Sequence, residues 1–276
     1  MKAITFLGIA RYSQTTYVYG DQSYETDLFP EALYRFIQPD ELLVFVTNKA
    51  REMYLDRLRE KLAGLIALHP VSIPEGRNED ELWQIFDALT GAVDEGDEVI
   101  FDITHSYRSL PFLVFLAAAY LKAAKRVRLH AVLYGAYEAR DTDSNRSPVF
   151  DLTPFVALLD WLTATDQFIQ TGDARRLAEL LNPASKGKGT AARASRTLSE
   201  VSLAAFLCQP FQLMSKVGRL KPDLLRAEPE LAQMARPFGV LRDQIVGTFG
   251  AFGADFDHDV PGGLQAQLRL IKWYHS

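Results

Sequence analysis

Residues 102–111, Asp-Ile-Thr-His-Ser-Tyr-Arg-Ser-Leu-Pro, crowd the groups of a phosphate-binding turn into one short stretch. Thr104, Ser106 and Ser109 supply hydroxyls, His105 a switchable imidazole donor, and Arg108 a permanent charge with a planar fork. Each has an ordinary use when taken singly: Asp102 can cap a turn, His105 can pack, and Arg108 can form a surface ion pair. Six such groups in eight residues point instead to a shared anionic guest. The stretch follows the apolar run 98–101 and opens an apolar segment with Pro111 suited to a first helical turn. The free main-chain N–H groups of a helix start complete a phosphate cradle.

The elements around this turn follow from periodicity. Branched apolar runs at 3–7, 42–46, 70–73 and 99–103 read as strands, with 126–134 as a fifth and 148–151 as a returning strand after the polar turn 140–146. Leu55, Leu58, Leu62 and Leu65 fall on one helix face, and Asn78 with Glu81 forms a capping box for a helix over 79–93. Strand alternating with helix predicts an α/β fold with a Rossmann-like, mainly parallel sheet, whose ligands bind beyond the carboxyl ends of the strands. One departure is a β-hairpin, 16–19 and 24–28 around Gly20-Asp21-Gln22-Ser23, inserted after the first strand near the mouth of any such site. From 153 onward strand signals stop. Helical patterns cover 155–163, 173–181, 191–216 and 263–274, and 182–190 reads as a loop. The expected organisation is a ligand domain over 1–152 and an all-helical region over 153–276.

The net charge of -5 argues against a broad basic surface that coats duplex nucleic acid, and leaves room for a small anion in one local pocket. The single cysteine, Cys208, excludes an internal disulfide and an all-cysteine metal site and fits a reducing cytoplasm. Its neighbours Phe206, Leu207 and Phe211 predict a core filler. Residues 1–7 read as a strand rather than a secretory signal. The longest apolar run, 110–121, is short of the roughly 20 residues that span a bilayer and reads as a buried helix, so no membrane partner is expected.

The 102–111 segment closely resembles the Asp-x-Thr-His-Gly-Phe-Arg-Ser-Leu-Pro signature of CRISPR-associated Rossmann-fold (CARF) proteins of type III systems. The resemblance extends in order through Phe6-Leu-Gly8, Ile73-Pro-Glu-Gly76, Glu81-Leu-Trp83, Tyr134-Gly-Ala-Tyr-Glu-Ala-Arg140 and Phe150-Asp-Leu-Thr-Pro154, covering residues 1 to about 180. Ser106 departs from it, standing where the family usually has glycine. The resemblance implies a homodimer that binds cyclic oligoadenylate, with cyclic tetra-adenylate the favoured ring, one copy of the turn serving each half of the ligand. Carried over, Gly8 allows close approach of the first loop. Thr104, His105, Ser106 and Arg108 contact phosphate or ribose, beside Ser109 at the helix start and Tyr134 and Gly135 at the end of the fifth strand. Arg11, Ser13, Thr47 and Asn48 occupy neighbouring strand-end loops, and ordinary turn chemistry explains Asn48 equally well.

Relatives usually add a C-terminal HEPN ribonuclease, marked by an Arg with a His four to six residues on. Leu241-Arg-Asp-Gln-Ile-Val-Gly247 has glycine where the histidine should fall. Arg269 and His275 have an acceptable interval but lie on what reads as one amphipathic helix, where residues six apart point in different directions. The helical region is therefore expected to be an incomplete or degenerate HEPN-like module. Asp255, Asp257, His258 and Asp259 precede Pro261-Gly-Gly263 and read as a solvated loop, so no metal site and no cofactor are expected. Three outputs stay open: a sensor that regulates an antiviral effector response, a ring nuclease that cleaves the messenger, and a ribonuclease acting on single-stranded RNA. A dinucleotide-binding Rossmann enzyme ranks below them, because Gly8 lacks the Gly-x-Gly-x-x-Gly context.

Overall fold

The computed structural model describes residues 1–107, 109–185, 188–231, 238–253, 265–266, 268–270 and 272. Two compact units, Met1–Val156 and Ala157–Ser276, make up the chain.

The first unit runs β1 (Lys2–Leu7), β2 (Thr15–Tyr19), β3 (Gln22–Thr26), α1 (Phe29–Ile37), β4 (Glu41–Val46), α2 (Asn48–Ala50), a π-helical turn (Arg51–Leu55) and α3 (Asp56–Lys61). It continues with β5 (Ala67–Ser72), α4 (Glu79–Gly91), β6 (Glu98–Asp102), α5 (Leu110–Ala124), β7 (Arg128–Gly135) and β8 (Arg146–Asp151). The sheet order is β3-β2-β8-β7-β6-β1-β4-β5. Pairings from β5 through β4, β1 and β6 to β7 are all parallel, so the expected α/β, Rossmann-like, mainly parallel sheet is present.

Alternation across the pleat explains why the central strands are apolar throughout. Ala3 and Leu7 of β1 and Leu42, Val44 and Val46 of β4 enter one core with α1 and α3; Ile4 and Phe6, with Leu43 and Phe45, enter the other with α4 and α5.

The inserted hairpin is shorter than expected. β2 and β3 pair antiparallel with Tyr19 opposite Gln22, and Gly20 at φ +57° supplies the left-handed residue that begins the two-residue turn. Residues 27–28 leave the strand because Leu28 precedes α1, with Pro30 in the helix's first turn. The predicted buried helix is buried on one face only. α5 buries Leu110, Val114, Ala117, Ala118 and Leu121, but Phe112, Leu116 and Tyr120 on another face are exposed.

The second unit comprises the rest of α6 (Thr153–Thr171), then α7 (Arg175–Ser185), α8 (Gly189–Phe206), α9 (Pro210–Leu231) and α10 (Phe238–Phe249). Its core gathers Trp161, Phe168, Leu198, Val201, Val217 and Phe249, among others. The continuous helix expected over 191–216 is broken. Cys208 takes φ 50°, and the N–H groups of Cys208 and Gln209 donate back to the carbonyls of Ala205 and Ala204, closing α8 with a Schellman motif. That corner faces outward, so Cys208 is exposed rather than a core filler, as are Phe206, Leu207 and Phe211. Half of the expected helix over 263–274 lies outside the described residues, and 265–266, 268–270 and 272 are helical. Among the described residues no helix is long and apolar enough to cross a membrane.

Candidate functional site

The carboxyl ends of β1, β6 and β7 open onto three segments, residues 8–14, 103–107 and 136–140, around a cavity of about 210 Å³. Asp102, the last residue of β6, is wholly buried and organises its floor. Its Oδ2 accepts from Thr5 Oγ1 at 2.6 Å and its Oδ1 from the Thr104 N–H at 2.8 Å, locking the turn to β1 and to itself. Burial pushes this carboxyl up to about 6, against the pull of those hydrogen bonds. The Thr104 hydroxyl accepts from the Gly135 N–H at 2.8 Å and ties the turn to the end of β7.

His105 is held rather than free to switch. Its Nε2 accepts from the Phe29 N–H at 3.0 Å, and its ring stacks on Tyr12, centroids 3.8 Å apart. Tyr12 stacks in turn on Tyr54 at 4.3 Å. Burial, then the nearby Arg57 guanidinium, push the imidazole down to about 3, with the Asp27 main chain opposing. The ring is therefore neutral near pH 7, which corrects the expected switchable donor. The Ser106 hydroxyl donates to the Ile103 carbonyl at 2.6 Å, and Ser106 is not at positive φ. Serine thus stands where the family usually has glycine without backbone strain.

Gly8 is required by proximity: a Cβ there would sit 2.9 Å from the His105 carbonyl oxygen. Its N–H donates to the Tyr12 hydroxyl, which donates back to its carbonyl, both at 2.8 Å, so Tyr12 anchors the first loop as well as His105. Arg11 and Ser13 lie on that loop, exposed and lining the cavity.

The cavity thus brings together Arg11, Ser13, Thr104, His105, Ser106 and Gly135 of the expected set, with Gly8 packed behind. Other members are not among its lining. Thr47 is buried as the N-cap of α2, accepting from the Ala50 N–H at 3.3 Å, and Asn48 is exposed as that helix's first residue. Ser109 precedes α5 without a side-chain cap bond. Tyr134 donates to Glu138 at 2.7 Å, and burial together with that carboxylate pushes its phenol up to about 12. Arg108 lies outside the described residues.

Sequence reasoning missed Tyr12, Tyr17, Asp27, Tyr137 and Glu138, which also line the cavity. Tyr137 and Glu138 fall inside the resembling 134–140 segment, which was the one available signal; Asp27, ion-paired with Arg57, had none. In the helical unit Arg269 is exposed, whereas His275, Asp255, Asp257, His258 and Asp259 lie outside the described residues. Among the described residues no group of three His, Cys, Asp or Glu is placed to hold a metal.

Comparison with known proteins agrees with this division. Residues 2–138 match the family described as CRISPR system endoribonuclease Csx1, CARF domain, and residues 157–253 match the second domain of CRISPR-associated protein MJ1674. CRISPR-associated protein MJ1674 of Methanocaldococcus jannaschii is 31% identical over 204 residues, 73% of this chain. The chain spans about 30% of that protein's length. With a Csx1-type CARF match on the sheet unit and an MJ1674-type match on the helical one, this chain is a CRISPR-associated CARF protein related to Csx1 and MJ1674.

Proposed function

We propose that the strand-end cavity binds cyclic oligoadenylate across a homodimer, and that the protein acts as a sensor regulating an antiviral effector response. The observation that carries this reading is the convergence of the Arg11 and Ser13 loop, the 103–107 turn and the end of β7 on one cavity at the carboxyl edge of a CARF sheet. Its 210 Å³ is below the roughly 300–1,000 Å³ of a pocket that encloses a drug-sized ligand, so a ring of several nucleotides needs two copies of it.

An apolar groove of about 450 Å³ between α4 and α5 supports the dimer. Trp83, Leu116 and Tyr120 line it, 65%, 41% and 48% exposed, and α5 begins directly after the ligand turn. A second copy packed on this face would bring two turns towards one axis. Sensing is preferred over ring cleavage because His105 is neutral and already engaged by the Phe29 amide.

The test mixes the protein with cyclic tri-, tetra- and hexa-adenylate and follows binding, ring breakdown and loss of a separate RNA in parallel. Retained intact cyclic tetra-adenylate, with affinity reduced in Arg108→Ala, is the expected result. Linear product assigns ring cleavage, and absence of binding to every ring removes the proposal.

A further inference from the structure

Helices α8 and α9 pack antiparallel within the helical unit. Thr190 meets Glu230 near one end, Thr197 meets Asp223, and Glu200 meets Lys216 towards the other end. Asp223 is 2% exposed, yet its Oδ1 contacts two guanidinium groups at once, Arg193 Nε at 2.9 Å and Arg226 at 3.2 Å. Its Oδ2 accepts from Thr197 Oγ1 at 2.7 Å. One cation would neutralise a buried carboxylate; two leave a fixed positive charge at the surface, and both side chains are 57% exposed. Each guanidinium has five N–H donors and uses only a fraction of them on Asp223.

The same seam gathers further cations. Arg196 lies one turn from Arg193 on α8, and Lys216 and Arg219 continue the α9 stripe that carries Asp223 and Arg226. Arg196 and Arg219 are exposed and make no ion pair among the described residues; Lys216 pairs with Glu200. Like charges three or four residues apart weaken a helix, so Arg193 with Arg196 and Lys216 with Arg219 are arrangements that an external anion would relieve. The helical unit also holds more Lys and Arg than Asp and Glu although the chain as a whole is acidic.

From Lys216 to Arg226 the stripe runs about 15 Å along the helix, longer than one phosphate and suited to consecutive phosphates of an extended strand. Guanidinium forks match phosphate oxygens in pairs. We infer that the α8–α9 seam binds the phosphodiester backbone of a single nucleic-acid strand. These positions offer cations and hydroxyls, so contact is with backbone rather than base and affinity is set by salt. The strand-end cavity plays no part, and this site stands or falls independently of ring binding.

The test uses the full chain with a fluorescently labelled twelve-nucleotide oligouridylate and its deoxythymidylate counterpart, read by anisotropy from about 50 mM salt upward. Binding of either strand by the wild type is expected. Arg196→Glu with Arg219→Glu should weaken it at least about ten-fold and flatten the salt slope, with an unchanged thermal midpoint because neither residue is paired. Should charge reversal lower the midpoint, Arg196→Gln with Arg219→Gln replaces it and must weaken binding at an unchanged midpoint. Wild-type protein that binds neither strand at about 50 mM salt, or a fully folded variant that binds as tightly as wild type, overturns the inference.

Discussion

Replacing Asp102 by Asn isolates one buried charge beneath the candidate site. The folded protein raises this carboxyl from 3.8 to about 6, chiefly through burial. It therefore holds the proton more tightly than the unfolded chain does, and stability falls as pH rises from about 4 to 6. A displacement of about two pKa units corresponds to about 3 kcal/mol once ionisation is complete. His105 works in the opposite sense: its folded value drops from 6.5 to about 3, so its contribution is complete above 6.5 and is lost as pH falls through that window. Both proteins carry His105, so it cancels in their difference. Asn retains an oxygen for the Thr104 N–H and an amide that can donate to the Thr5 hydroxyl, which keeps the turn intact. Relative to wild type, Asp102→Asn should gain about 3 kcal/mol between pH 4 and pH 7. Urea unfolding at each pH, read by hydrogen exchange on peptides from β1 and β6, measures that difference. A wild-type-to-variant difference that stays constant across the range would refute the assignment of a raised pKa to this carboxyl.

Gly135→Ala places a Cβ 2.7 Å from both Phe29 Cδ2 and Tyr17 Cε1, two buried rings, and should cost roughly 1–3 kcal/mol, seen as a lower thermal midpoint. Because Phe29 also donates to His105, ring affinity should fall in the same variant at temperatures where it remains folded. Leu116→Glu, on the exposed face of α5, should yield monomers by sedimentation and abolish ring binding while circular dichroism is unchanged; a variant that stays dimeric removes that face from the proposal. Cys208, exposed at the α8–α9 corner, should react with a thiol reagent in the native protein about as fast as in denaturant, and strong native-state protection would contradict that placement.

Much of the fold was legible because a strand buried on both faces is written locally, as apolar runs rich in branched residues at 42–46 or 99–101, and because Asn78 caps α4 through the Glu81 N–H. The 102–111 turn was legible for the same reason: its chemistry is contiguous in the chain. Pairings between distant segments decided the rest. His105 is neutral because packing buries it beside Arg57 and against the Phe29 amide 76 residues away, and Tyr12, Asp27 and Glu138 join Thr104 only once three strands align their carboxyl ends. Cys208 among apolar neighbours resembles a core position until a left-handed residue ends α8 and turns that corner outward. Likewise Arg226 reaches Asp223 from one turn away on α9, but Arg193 joins it only when α8 lies against α9. Periodicity and turn chemistry depend on neighbours within a few residues and survive in the bare sequence; burial, protonation and the sharing of one carboxylate depend on which surfaces meet, and the packed chain alone determines that.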